Sequence, residues 1–287
     1  MKRILFTLSL LLALQFQAGA WAALGHAVVA KIAEDHLTPQ AKAACQECLE
    51  GLSIVAVASD ADIYRGQWIL PLDFMPTNDP QKLRPKYVKE FDRDLPLNIV
   101  YYGHIFSVDE QCRPYRTNNF DNYYRTNACY DVANLTADLA GWETMDPEMR
   151  KRAVALIVHL VGDIHCPDHI KYPDENSTGN FEIKFKGKKM KRHAMWDSDL
   201  LASIIPWSYS DAARLIDTAD DAFIAEITAG DIYDWGYDSA LCCRIAHEVK
   251  AGADVPRSYA ADMRELAFSQ LRNAGYRLAA LLNTIFQ

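Results

Sequence analysis

The 287-residue sequence has no excess of positive charge, no internal repeat, no low-complexity tract and no interdomain linker. Its formal charge is −8. An acidic chain is a poor non-specific binder of duplex nucleic acid through surface charge alone. Any phosphate-bearing ligand must therefore be met by local basic side chains or by metal ions. A disordered chain is excluded by a hydrophobic fraction of 50% and six tryptophans, which supply a buried core. With neither repeat nor linker, residues 21–287 read as a single domain. Long apolar runs are missing too. The run from Ile4 to Leu14 is shorter than the roughly 20 residues that span a bilayer. It follows Lys2 and Arg3 and precedes Ala18-Gly19-Ala20, the pattern of a secretory signal peptide over residues 1–20. Cleavage between Ala20 and Trp21, a secreted or periplasmic location and no membrane anchor are the expectations.

Cysteine is sparse and odd in number. The seven are Cys45, Cys48, Cys112, Cys129, Cys166, Cys242 and Cys243. Export permits disulfides, but an odd count leaves at least one thiol unpaired or pairing between chains. Cys112 with Cys129 is the expected disulfide. Cys45-x-x-Cys48 finds no second C-x-x-C in the sequence, so a zinc knuckle is disfavoured.

What is present is mostly helical. Apolar positions recur at three and four over residues 26–50. Residues 148–165, "EMRKRAVALIVHLVGDIH", read as a strongly apolar helix that Pro167 must end. Residues 261–286 read as a long amphipathic helix. Residues 66–98, rich in proline and charge, read as a long loop or insertion, and "FEIKFK" before Gly187 as one arm of a small β-hairpin. The expected fold is mainly α: one helical domain with that hairpin.

Chemistry concentrates in histidine and aspartate. His159 and Asp163 are four apart and share a helix face. His193 and Asp197 in "HAMWD" repeat the spacing, and His169 lies just past the proline stop. Imidazole nitrogen and carboxylate oxygen are the ligands zinc accepts when thiolates are absent. The first pair sits inside an apolar run, where a lone carboxylate is costly. A chain cut after Ala20 starts at Trp21 with a free amine, five residues before His26, which is a further potential metal ligand set.

"WAALGHAVVAKIAEDHLTPQA", "SDADIYR", "HLVGDIHCPDH", "HAMWD" and "AGYRLAALLN" occur in order along the chain. Together they resemble the trinuclear-zinc single-strand nucleases of fungi and plants, the S-one/P-one type, with secreted bacterial relatives. That resemblance implies the helical fold of zinc-dependent phospholipase C and P-one nuclease. It implies three zinc ions: one held by Asp62, His104, His159 and Asp163, one by His169, His193 and Asp197. The third would take the amine and carbonyl oxygen of Trp21, with His26 and the second oxygen of Asp163. Implied too are hydrolysis of single-stranded DNA and RNA to 5′-phosphorylated products, with possible 3′-nucleotidase activity. Asp62 would orient the attacking water and Arg65 would neutralise the transition state. The run "KFKGKKMKRH" ends on His193, so Lys191 and Arg192 are candidate phosphate contacts.

Several positions depart from the family pattern. Ala22 replaces a glycine, Asp60 replaces a tryptophan, and "HQPLH" has become "HCPDH", placing Cys166 and Asp168 beside the second site. Ile105 and Ser107 replace an aromatic and an acidic residue that contact a base, leaving Phe106 as the candidate stacking residue. Two alternatives stand beside the nuclease: a zinc phospholipase C acting on phospholipid head groups, and a non-catalytic zinc-sequestering protein.

Overall fold

The computed structural model describes residues 21–63, 104–116, 127–175 and 178–287. The expected helices and hairpin are there, with the helices dominant, while the loop or insertion expected over residues 66–98 lies outside the described residues. The stretch 26–50 forms two helices, α1 (Ala23–Asp35) and α2 (Pro39–Cys48). The reason is local: the Thr38 side chain accepts from the Ala41 N–H while Pro39 takes the first helical position, a start signal strong enough to interrupt the periodicity. A short helix, α3 (Asp60–Ile63), closes the described N-terminal segment.

Helix α4 (Ala128–Leu139) lies against α5 (Pro147–Ile164), the central helix. Asp146 caps α5 by accepting from the N–H groups of Glu148 and Met149, again with proline at the first position. From Ala153 to Ile164 every residue of α5 is buried. The helix stops as expected, because a residue preceding proline is steered out of the α region; Cys166 is extended, with φ −84° and ψ 124°. The terminal helix α8 (Arg264–Ile285) packs on α1. Gly275 makes that contact possible: a Cβ there would lie 2.5 Å from Cγ2 of Ile32.

Between these helices the chain makes small β elements. Strands β1 (Phe106–Ser107) and β2 (Ile170–Lys171) pair in parallel, Phe106 opposite Ile170, which draws the segment after His104 against the segment after His169. The hairpin is confirmed as β3 (Glu182–Phe185) and β4 (Lys188–Lys191), with Glu182 opposite Lys191. Its two-residue turn, Lys186-Gly187, has φ of +52° and +78°, as the tight hairpin turn requires. Ile183 and Phe185 point into the core, while Lys184, Lys188, Lys189 and Lys191 are exposed. A third strand, β5 (Asp254–Val255), runs parallel to β3. After β4 the chain enters α6 (Arg192–Ala194), a π-helical turn over Met195–Asp199 closed by the Leu200 N–H to the Met195 carbonyl at 2.8 Å, and α7 (Leu201–Ile204). All seven cysteines are free thiols, so the expected Cys112–Cys129 bridge is not formed. Among the described residues no helix is long and apolar enough to cross a membrane.

Candidate metal centre

The buried half of α5 presents His159 and Asp163, neither with any exposed surface. Nδ1 of His159 lies 2.9 Å from the Ala58 carbonyl. A proton on that nitrogen is donated there, and the lone pair is then on Nε2. Nε2 lies 3.3 Å from Oδ2 of Asp163 and 3.7 Å from Oδ1 of Asp62, which α3 carries. Helix α1 brings His26 to the other side, its Nε2 3.3 Å from Oδ1 of Asp163. Nδ1 of His104 is 3.9 Å from Oδ2. One oxygen of Asp163 thus faces His26, and the other faces His159 and His104. The His26 and His159 rings stack, with centroids 3.9 Å apart. That approach depends on Gly162, where a Cβ would lie 2.8 Å from Nδ1 of His26. Burial lowers the pKa of His159 and neighbouring His26 adds to this, against the opposing pull of Asp163 and Asp62. A neutral imidazole is the form that binds metal.

A second group adjoins the first. His169 ends the short turn Pro167–His169, and its ring centroid is 4.7 Å from that of His193 and 4.8 Å from that of His104. Donor nitrogens of these three imidazoles lie within 4.8 Å of one another, so His104 stands between the two groups rather than in the first alone. Nε2 of His193 is 3.3 Å from Oδ2 of Asp197, and Nδ1 of His169 is 4.0 Å from Oδ1. The π turn holds Asp197 in this position. Cys166, the novelty in "HCPDH", is buried with its thiol donating to Oδ1 of Asp197 at 3.6 Å. Burial, and then the charge of Asp197, push its pKa well above the usual thiol value. The Asp197 carboxyl is itself pushed well up, first by burial and then by the negative charges of Asp168, Asp163 and Asp62.

Such a set suits a divalent cation. Buried carboxylates that repel one another need compensating positive charge. Among the described residues, Nε2 of His159 and Oδ2 of Asp197 have no hydrogen-bond partner. Imidazole nitrogen and carboxylate oxygen at this density match zinc chemistry.

Trp21 is seated at the same place. It is fully buried, its carbonyl accepts from the His26 N–H at 3.4 Å, and the next N–H, of Ala22, donates to the Asp197 carbonyl at 2.7 Å. Its φ is +26°, a region that residues with a Cβ rarely occupy.

Four candidate substrate contacts fare differently. Lys191 is exposed on the edge of the hairpin. Arg65 lies outside the described residues. Phe106 is fully buried and cannot stack on a base, because alternation along β1 turns its ring inward. Arg192 is likewise buried rather than exposed. It points inward because two carboxylates hold it: Nε lies 2.9 Å from Oδ1 of Asp168, and Nη1 lies 3.5 Å from Oε1 of Glu175. His247 completes that group, with Nδ1 2.6 Å from Oε2 of Glu175 and Nε2 2.8 Å from the Pro167 carbonyl. Sequence reading passed over Glu175 and His247 altogether; the aspartate in "HCPDH" was the one local sign of them. Asp60 is half-buried, and burial raises its carboxyl pKa against the opposing charge of Lys151.

The S1/P1 Nuclease family model matches residues 21–287. Endonuclease 2 of Arabidopsis thaliana is 24% identical, the alignment covering 93% of this chain and 90% of that one. Nuclease P1 of Penicillium citrinum is 25% identical over 92% of this chain and 97% of its own. A match over the whole stretch that bears the histidine and aspartate groups, to a zinc-dependent family of nucleases acting on single strands, accounts for both the helical fold and the buried donor set: the chain belongs to the S1/P1 nuclease family and is a hydrolytic nuclease.

Proposed function

We propose that the chain, exported and cut after Ala20, uses three zinc ions to hydrolyse single-stranded DNA and RNA to 5′-phosphorylated products, and removes 3′-phosphates from nucleotides. The observation that carries this reading is the division of Asp163, one oxygen 3.3 Å from His26 and the other 3.3 Å from His159. A carboxylate placed so is suited to serve two ions. Asp62, His104, His159 and Asp163 would hold the first, and His169, His193 and Asp197 the second. Trp21, His26 and Asp163 would hold the third. Zinc held there supplies positive charge against the phosphate and lowers the pKa of water.

The chain's own groups do the rest. Asp62 is 18% exposed, open enough for its carboxylate to orient an attacking water and take its proton. Attack at phosphorus then breaks the bond to the 3′-oxygen, leaving a 3′-hydroxyl and a 5′-phosphate. Arg65, three residues after Asp62 in sequence, would offset the charge that builds on the phosphate oxygens. Lys191, with the exposed Lys184, Lys188 and Lys189, offers contacts to the sugar–phosphate backbone. Single strands are favoured because a base in a duplex leaves its stack only at an energetic cost. The torsion at Trp21 supports the cut: an N-terminal residue has no φ, so severing the peptide bond before it removes the constraint. Elemental analysis of the mature protein beside a nuclease assay tests the reading. Close to three zinc ions per chain is expected; active enzyme carrying one or fewer refutes it.

A further inference from the structure

The buried pair Asp168–Arg192 has a placement that packing alone does not explain. Asp168 immediately precedes His169, and Arg192 immediately precedes His193. Nε of Arg192 lies 2.9 and 3.1 Å from the two oxygens of Asp168, and Nη2 lies 2.6 Å from Oδ1, with both side chains fully buried. The main-chain oxygen of the same aspartate is 3.1 Å from Nδ1 of His193. Asp168 therefore grips the neighbourhood of His193 twice, through its carboxylate on Arg192 and through its carbonyl on the imidazole. His247 ties the preceding residue by approaching the Pro167 carbonyl at 2.8 Å and is itself 3.0 Å from Nη2 of Arg192. Gly179 leaves the room required: its φ is +67°, and a Cβ there would lie 2.5 Å from Oδ2 of Asp168 and 2.8 Å from the His193 nitrogen. The His193 N–H in turn donates to the Gly179 carbonyl at 3.1 Å.

We propose that Asp168 and Arg192 are positioning residues that set the separation of His169 and His193, and hence the affinity of the metal site those two imidazoles share. The inference rests on the zinc reading of that cluster. A bidentate carboxylate–guanidinium pair fixes direction as well as distance, and links one residue along the chain from each ligand pass that geometry to both rings. Supports that orient metal ligands are commonly worth ten- to a hundredfold in affinity.

The test uses full mature protein, a zinc titration against a chromophoric chelator, and steady-state kinetics on a single-stranded oligonucleotide. Asp168→Asn keeps the size and the carbonyl contact but loses the charge. It is expected to weaken one ion at least tenfold, to leave the others unchanged, and to recover most of its kcat in excess zinc with little change in KM. A merely structural fault would weaken the binding of every ion together, because zinc also stabilises the folded chain; a loss confined to one ion marks the positioning role. Because Asp168→Asn strands a buried guanidinium and can fail to fold, the double variant Asp168→Leu with Arg192→Met accompanies it. Apolar replacement of both partners preserves folding in other buried pairs, so this variant is expected to fold yet show the same selective weakening. A folded double variant with every zinc bound as in wild type overturns the proposal. Wild-type protein that binds no zinc in the same titration overturns the metal reading instead.

Discussion

Gly162→Ala separates stability from function in a single methyl group. In the middle of a buried helix the exchange of glycine for alanine ordinarily gains about 1 kcal/mol. Here the new Cβ would lie 2.8 Å from Nδ1 and 3.1 Å from Cε1 of His26. The ring must retreat by roughly 0.6 Å to reach ordinary contact, and its other face is already stacked on His159 at 3.9 Å. Overpacking of this kind costs about 1–3 kcal/mol, so the net loss is on the order of 0–2 kcal/mol. For a domain of this size that lowers Tm by less than about 8 °C. The same displacement moves Nε2 of His26 away from its 3.3 Å approach to Asp163. Misplacement on the scale of an ångström can remove about a hundredfold of rate. Melting by circular dichroism, zinc content and hydrolysis of a single-stranded oligonucleotide should therefore show a folded protein with kcat reduced by roughly two orders of magnitude. Gly275→Ala, whose Cβ would meet Ile32 at the α1–α8 contact, is the control: a lowered Tm with normal kcat. Wild-type kcat and zinc content in Gly162→Ala would refute the reasoning.

Asp163→Asn is expected to lower kcat more than Asp197→Asn, since Asp163 faces His26, His159 and His104; equal rates with unchanged zinc content would count against its shared role. Cytoplasmic expression of residues 21–287 with a retained methionine or an N-terminal tag should leave a folded chain with one zinc fewer and a large loss of activity, restored when a protease exposes Trp21; a tagged enzyme with full zinc and normal rate contradicts the amine's role. Removal of metal by a chelator should abolish activity and lower Tm, because only the folded chain assembles the donors; an unchanged Tm would show that the buried carboxylates need no cation. Burial, with Arg277 beside it, holds the His165 imidazole down at about 3. Between that value and the ordinary histidine pKa the unfolded chain binds the extra proton, so stability is lost as pH falls below about 6.5, by roughly 1.4 kcal/mol per pH unit. His165→Gln should flatten the urea-midpoint profile over that range, and an unchanged slope would remove the assignment.

The parts of this protein that sequence declares are those whose cause is local. Helix α5 is legible because its apolar run and its proline stop are both local; the structure adds the start, an Asp146 cap followed by Pro147. The hairpin shows itself through alternation ending on Lys186-Gly187. The pairs His159/Asp163 and His193/Asp197 are legible because a spacing of four is also a distance. Where the cause is distant, the sequence misleads. Arg192 looks like one more base in "KFKGKKMKRH", yet the carboxylates that turn it inward come from residues 168 and 175. Phe106 follows a histidine ligand and looks available for stacking, but its pairing with Ile170 turns it into the core. The break between α1 and α2 has a local cause, Thr38-Pro39, but the apolar period over residues 26–50 carries no mark of it.

The π turn at Met195–Asp199 bears on how relatives of this chain are to be aligned. A π turn is an α turn with one residue more, and here the extra residue falls between His193 and Leu200, in the stretch that carries Asp197. Deleting a single residue between His193 and Asp197 would tighten the turn, change the spacing of that pair from four to three and swing the aspartate about 100° around the axis relative to His193. A homologue with a one-residue gap at that point has lost the spacing that sets the second histidine group, however high its identity elsewhere. A homologue with substitutions on all sides but no gap there keeps it.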